Sequence, residues 1–218
     1  MAATPQMTAR EETIRLLMEL RRQGITDRRV LSAIEAVPRE AFVPEMFRDQ
    51  AWENVALPIA QGQTISQPFI VAYMTQELNL SNLMTVLEIG TGSGYQAAVL
   101  AHLARRVSTI ERFRSLAQDA KVRLEALGIH NVSCRTGDGL KGWPEAAPFD
   151  RIILTAWVGS TPEVVIQQLK VGGILIMPVG ESDSQRLVKI VRTQDGVRQS
   201  DLIPVRFVPA LEGVAREP

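Results

Sequence analysis

Apolar positions along this chain fall into two rhythms, and the change from one to the other marks out its elements. Over 8–22 they recur every three or four residues, with Ile14, Leu17, Met18 and Arg21 along one side, and over 27–37 they do so again at Val30, Leu31, Ile34 and Val37. This spacing predicts two amphipathic helices, the first stopped at Gly24, the second capped by Asp27 and ended by Pro38. From residue 86 onward the pattern shifts. Short apolar runs at 86–89, 106–110, 131–136, 149–156 and 174–178 alternate with helical stretches at 95–103, 113–127 and 162–169, as buried strands joined by crossover helices would. In the final third, 186–192 and 202–208 alternate residue by residue around Asp195 and Gly196, the pattern of an antiparallel strand pair. The expected fold class is α/β: a doubly wound, mostly parallel Rossmann-like sheet with N-terminal helices and an antiparallel C-terminal strand pair. One domain over 1–218 is expected, its first 80 residues holding the helices and a segment that covers the site.

The first strand runs into VLEIGTGSG at 86–94, with glycines at 90, 92 and 94. Such a turn lets backbone approach a ligand closely, and the next helix offers free N–H groups and partial positive charge. The second strand ends at Glu111, 21 residues after Gly90, where a carboxylate can accept hydrogen bonds from ribose hydroxyls. The spacing departs from the dinucleotide fingerprint, because the third glycine comes one residue early and Tyr95 takes its place, so NAD is disfavoured. Glu88, two residues before the first glycine, suits the ammonium of a methionine moiety, directly or through water. The stretch resembles motif I of the S-adenosylmethionine-dependent methyltransferases. This resemblance makes Glu88, Gly90, Thr91, Gly92, Gly94 and Glu111 candidate cofactor residues. Asp138 and Gly139 join them, since they follow the third strand, where methyltransferases hold adenine and an acid in a turn can accept from its amino group.

Between the helices and the glycine turn, residues 38–68 are mostly non-periodic and contain four prolines, a loop-rich stretch able to lie over a cofactor and exclude water. Within it Gln61, Gly62, Gln63, Thr64, Ile65, Ser66 and Gln67 form a dense hydrogen-bonding run before Pro68 and an apolar helix. Chemistry alone leaves Ser66 open between capping that helix and touching a ligand.

The segments PREAFVPEMF, AWENVALPIAQGQTISQP and VLEIGTGSGYQAAVLAHL, followed by HNVSCRTGDG, PFDRIIL, GGILIMPVG and RFVP, resemble the protein-L-isoaspartate O-methyltransferases over nearly the whole chain. GQTISQP is the specific element, because motif I belongs to a much larger superfamily. The resemblance implies transfer of a methyl group from S-adenosyl-L-methionine, leaving S-adenosyl-L-homocysteine, to the free α-carboxylate of isoaspartyl residues in peptides and proteins. It implies repair through a succinimide, with Ser66 as the active-site residue and Gln63 and Thr64 against substrate and cofactor. Two departures bear on the acceptor. Trp157, Val158 and Gly159 follow the fourth strand where the family has small residues and proline, and Ala210 and Leu211 follow RFVP. Trp157 is expected at the mouth of the site, which keeps a related carboxyl methyltransferase with another acceptor as the alternative.

Composition changes this picture little. Lys plus Arg and Asp plus Glu both number 24, so no nucleic-acid partner is expected. No apolar run approaches a membrane span, and the first residues, with Arg10, Glu11 and Glu12, lack a signal peptide's order. A lone cysteine, Cys134, excludes an internal disulfide, and His102 and His130 lack metal-ligand spacing, so no metal is expected. A cytoplasmic monomer is the expected state.

Overall fold

The computed structural model describes residues 8–217. Helix α1 (Ala9–Arg22) opens with a capping box, in which the Thr8 hydroxyl accepts the N–H of Glu11 and the Glu11 carboxylate accepts the N–H of Thr8. Its buried side is Thr13, Leu16, Leu17 and Leu20, while Ile14 and Met18 are about half exposed. The stripe therefore lies to one side of the expected one, because Leu16 and Leu20 are also at helical spacing and are the ones that meet Ile25, Val30 and Ile34 in the core. Helix α2 (Arg28–Ala36) is capped by Asp27 as its sequence predicts.

Residues 38–67 form a covering segment of two short 3-10 turns, Arg39–Phe42 and Glu45–Gln50, and a small hairpin of β1 (Leu57–Pro58) and β2 (Thr64–Ile65) joined by a third, Ala60–Gly62. Leu57 pairs with Ile65 across the hairpin. Both are buried with Phe42, Trp52 and Val71, so two apolar anchors hold the polar tip at 59–63 above the sheet. Helix α3 (Pro68–Glu77) follows.

The main sheet then builds from β3 (Thr85–Ile89), α4 (Tyr95–Ala101), β4 (Arg106–Glu111), α5 (Arg114–Ala126), β5 (Val132–Thr136), β6 (Phe149–Leu154), α6 (Glu163–Ile166), β7 (Leu169–Glu181), β8 (Ser184–Thr193) and β9 (Gly196–Val205). Its order is β5-β4-β3-β6-β7-β8-β9. Pairs from β5 through β7 are parallel, and the last two are antiparallel. Alternate residues face opposite ways, as strand pleating requires. Val86, Ile153 and Ile176 pack on one face with Met74 of α3, Leu78 at its C-cap and Leu100 of α4. Leu87, Ile152 and Leu175 pack on the other with Val165 and Ile166 of α6. The chain winds outward from β3 to β5, then returns to β6 on the opposite side of β3. That reversal opens a crevice at the carboxyl ends of β3 and β6, where open α/β sheets hold ligands.

Two elements depart from expectation. The helix expected over 162–169 is only the four residues of α6, because the chain turns at Gln168 into β7: the Gln168 carbonyl accepts the Phe149 N–H at 2.8 Å and its side chain bonds Trp143 and Lys141. Strand β9 begins at Gly196 and ends at Val205, so Val208 lies outside it.

Candidate active site

The glycine turn after β3 is held from three sides. Gly90 has a φ of +100°, and a Cβ on it would come within 2.3 Å of Thr155 Oγ1, so both its conformation and its neighbour demand glycine. The Thr155 hydroxyl donates to the Gly90 carbonyl at 2.6 Å, and the Gly90 N–H donates to the Ile110 carbonyl at 2.8 Å. From the end of β4, Glu111 Oε2 accepts the N–H of Gly92 at 2.8 Å, and Oε1 accepts that of Phe113 at 3.0 Å. Glu111 is buried, yet it forms part of the cavity wall. Each of its oxygens has a lone pair beyond the one used.

One cavity, partly open to solvent, brings together Gln63, Thr64, Ser66, Gly90, Thr91, Gly92, Glu111 and Gly139. The hairpin tip supplies Gln63, β2 supplies Thr64 and leads into Ser66, and the turn after β5 supplies Gly139. The donor set fits an adenosyl cofactor: a glycine turn without side chains and the Glu111 carboxylate share one wall with an apolar rim of Ile110, Phe113 and Leu140.

Ser66 is half-buried, and its hydroxyl makes no hydrogen bond to any described residue. It does not cap α3. The N-cap is Gln67, whose side chain makes no cap bond, and the N–H of Phe69 is taken by Asn54 Oδ1 at 2.9 Å. Of the two roles open to Ser66 in the sequence, the geometry removes capping.

Three expected residues stand outside the wall. Glu88 is fully buried, and its Oε2 accepts from the Thr109 hydroxyl, which lies 2.6 Å from that of Thr91. Thr91 lines the cavity, so Glu88 is two hydroxyls removed from it. Burial, with the nearby charge of Glu111, pushes its carboxyl up to about 8 against the opposing pull of the Thr109 hydrogen bond. Gly94, with φ of +91°, is the N-cap of α4 and lies against α5, where a Cβ would come within 3.1 Å of that of Ala120. Its glycine serves helix packing. Asp138 turns its Oδ1 to the Leu140 N–H at 3.0 Å, capping a 3-10 turn. The cap brings Gly139 and Leu140 into the wall while Asp138 itself stays behind it.

Trp157 is neither at the mouth nor in the core. Its half-buried ring is not part of the cavity wall, which is made there by Thr155 and Ala156. Its backbone does the work: the N–H donates to the Val208 carbonyl at 2.9 Å, and the carbonyl accepts the Ala210 N–H at 2.8 Å. Residues 208–211 are thereby fixed as a further wall that the strand reading did not reveal. The RFVP segment was the one signal that pointed there. Arg112 and Phe113 are also wall residues that sequence reasoning missed.

The sequence pattern of the protein-L-isoaspartate(D-aspartate) O-methyltransferases (PCMT) matches residues 11–215. The chain belongs to this family. A protein-L-isoaspartate O-methyltransferase of Parvibaculum lavamentivorans is 61% identical over 210 residues, 95% of each chain. One from Rhodospirillum centenum is 54% identical over 97% of this chain and 96% of its own. Among solved structures, a protein-L-isoaspartate O-methyltransferase superposes with a TM-score of 0.81 at 31% identity, over 91% of this chain and 65% of that longer one. Another, from Plasmodium falciparum and in complex with S-adenosyl-L-homocysteine, gives 0.78 at 25% identity over 90% of this chain and 97% of its own. The protein is accordingly an S-adenosylmethionine-dependent methyltransferase of isoaspartyl residues with a Rossmann-like fold.

Proposed function

We propose that Ser66 orients the free α-carboxylate of an L-isoaspartyl residue in this cavity, with the cofactor held by Gly90, Thr91, Gly92, Glu111 and Gly139 beneath Gln63 and Thr64. One observation carries the reading: Ser66, whose hydroxyl has no partner among the described residues, shares a wall with the glycine turn and Glu111. When bound, S-adenosyl-L-methionine supplies a methyl group on a positively charged sulfur and departs as S-adenosyl-L-homocysteine.

The residues present suit such a transfer. An α-carboxylate resembling a chain terminus has a pKa of about 3.5 and is ionised at neutral pH, so no base is needed to make it nucleophilic. Among the described residues, the cavity wall holds no histidine, lysine or cysteine. Its contribution is positioning and dryness: Ser66 fixes the carboxylate by a donated hydrogen bond, while the hairpin tip and residues 208–211 exclude water. The methyl ester then leaves as methanol when the next backbone nitrogen attacks its carbonyl carbon, giving a succinimide that water opens to aspartate or isoaspartate.

Glu88 and Asp138 act from behind the wall in this reading, Glu88 through Thr109 and Thr91, Asp138 by capping the turn at Gly139. The enzyme works as a cytoplasmic monomer on peptides and proteins, independently of nucleic acid and membranes. The balanced charge of 24 basic and 24 acidic residues and the single cysteine support that setting.

Substituting Ser66→Ala tests the assignment. Turnover of an isoaspartyl peptide should fall by roughly tenfold or more, while affinity for S-adenosyl-L-homocysteine stays within about twofold. Native kcat in a folded variant would remove Ser66 from the mechanism.

A further inference from the structure

Ser66 stands immediately before α3, whose first turn carries N–H groups in need of acceptors. Pro68 has no N–H, so the next donor is that of Phe69. It goes to Asn54 Oδ1 at 2.9 Å, across 15 positions of sequence. The Gln67 side chain donates to the Asn54 backbone carbonyl at 2.8 Å. Asn54 Nδ2 donates in turn to Glu19 Oε1 at 2.7 Å and Gln23 Oε1 at 3.2 Å, both near the end of α1. Amide hydrogens, amide oxygen and backbone carbonyl are all engaged. Asn54 thus grips the residues on either side of Pro68 and ties them to α1.

We propose that Asn54 is the positioning residue for Ser66: by supplying the acceptor that α3 requires, it leaves the serine hydroxyl free to face the cavity. This rests on the role given to Ser66 above. Serine is a strong helix-capping residue, and the Ser66 hydroxyl, without a partner among the described residues, stands one position ahead of the N-cap Gln67, whose own side chain is tied to the Asn54 backbone carbonyl. Without Asn54 its hydroxyl is recruited to that N–H, and the group that should hold the substrate carboxylate turns away. Backbone drift alone would compound the loss, because the two bonds to Asn54 bracket the turn that follows Ser66.

The test compares the native enzyme with Asn54→Ala, Ser66→Ala and the double variant, measuring kcat on an isoaspartyl peptide and calorimetric affinity for S-adenosyl-L-homocysteine. Asn54→Ala should lower kcat roughly tenfold and leave that affinity within about twofold. Added to Ser66→Ala it should lower kcat by no more than about twofold, because the group it positions is already gone. A full tenfold loss repeated in the double variant, or native kcat in Asn54→Ala, overturns the proposal. Native kcat in Ser66→Ala instead overturns the reading beneath it, and the proposal falls with it. Should Asn54→Ala not fold, Asn54→Asp combined with Glu19→Gln keeps the acceptor for Phe69 and restores a donor between the two side chains. That pair should retain native kcat; a tenfold loss would again overturn the proposal.

Discussion

Glu111 reaches from the end of β4 to the glycine turn after β3 and accepts the N–H of Gly92 at 2.8 Å. The carboxylate shapes the turn and lines the cavity, and in the proposed function the ribose hydroxyls are its second set of partners. Replacing it by alanine strips the N–H groups of Gly92 and Phe113 of their acceptor in a partly buried place. Glu111→Ala should weaken S-adenosyl-L-homocysteine binding by ~1 to 3 kcal/mol and also lower the melting temperature, because orphaned buried donors carry a penalty of that order. Calorimetry and thermal unfolding on one sample check both. Unchanged affinity would remove Glu111 from the cofactor site.

Glu88 gives a pH signature. Its carboxyl is pushed from 4.5 up to about 8, chiefly by burial. Between these values the folded protein keeps a proton that the unfolded chain has released, so stability falls as pH rises and levels off above the folded value. The slope from this group is at most roughly 1.4 kcal/mol per pH unit. Glu88→Gln, neutral and of like shape, should flatten the urea-unfolding stability measured from pH 5 to 8 relative to native. Parallel curves for the two proteins would show that Glu88 is ionised in the fold.

Both segments over the cleft meet at Ser115. The Glu217 carboxylate accepts the Ser115 N–H at 3.1 Å and also its hydroxyl, and Gln61 of the hairpin tip donates to that hydroxyl oxygen at 3.2 Å. The carboxylate also sits at the start of α5, where negative charge is favoured. Glu217→Ala should speed dissociation of S-adenosyl-L-homocysteine a few-fold, roughly what loss of an exposed charged cap is worth, with little change in melting temperature. The Ser115 hydrogen bonds hold the Glu217 carboxyl below its ordinary 4.5, so the tie is present above that value and is lost only in more acidic solution. Stopped-flow release at neutral pH is the check, and identical rates would show that the tie does not gate the cleft.

The parallel core is legible in the sequence because β3, β6 and the centre of β7 are nearly continuous apolar runs and α5 shows a clean stripe at Leu116, Ala117, Ala120 and Leu124, all of them buried. The glycine turn and Glu111 are legible because their spacing is set by the length of a strand and a crossover helix. Side-chain partners are not. Gly94 belongs to the same glycine run as Gly90, but only the packing of α4 on Ala120 shows that it faces a helix. Glu88 has the right spacing for a ligand, yet strand alternation turns it toward Thr109 and away from the cavity. Trp157 reads as a ring in the mouth, whereas its contribution is two backbone hydrogen bonds that any residue but proline could make. The wall at 208–211 follows β9 as irregular chain, which carries no periodicity to read.

The most direct measurement offers the enzyme two peptides that differ only in one linkage, isoaspartyl in one and aspartyl in the other, with S-adenosyl-L-methionine labelled at its methyl group. Label should enter the isoaspartyl peptide as a base-labile ester and leave the aspartyl peptide at background. Equal labelling of both peptides, or of neither, would contradict a cavity in which Ser66 aligns the isoaspartyl α-carboxylate.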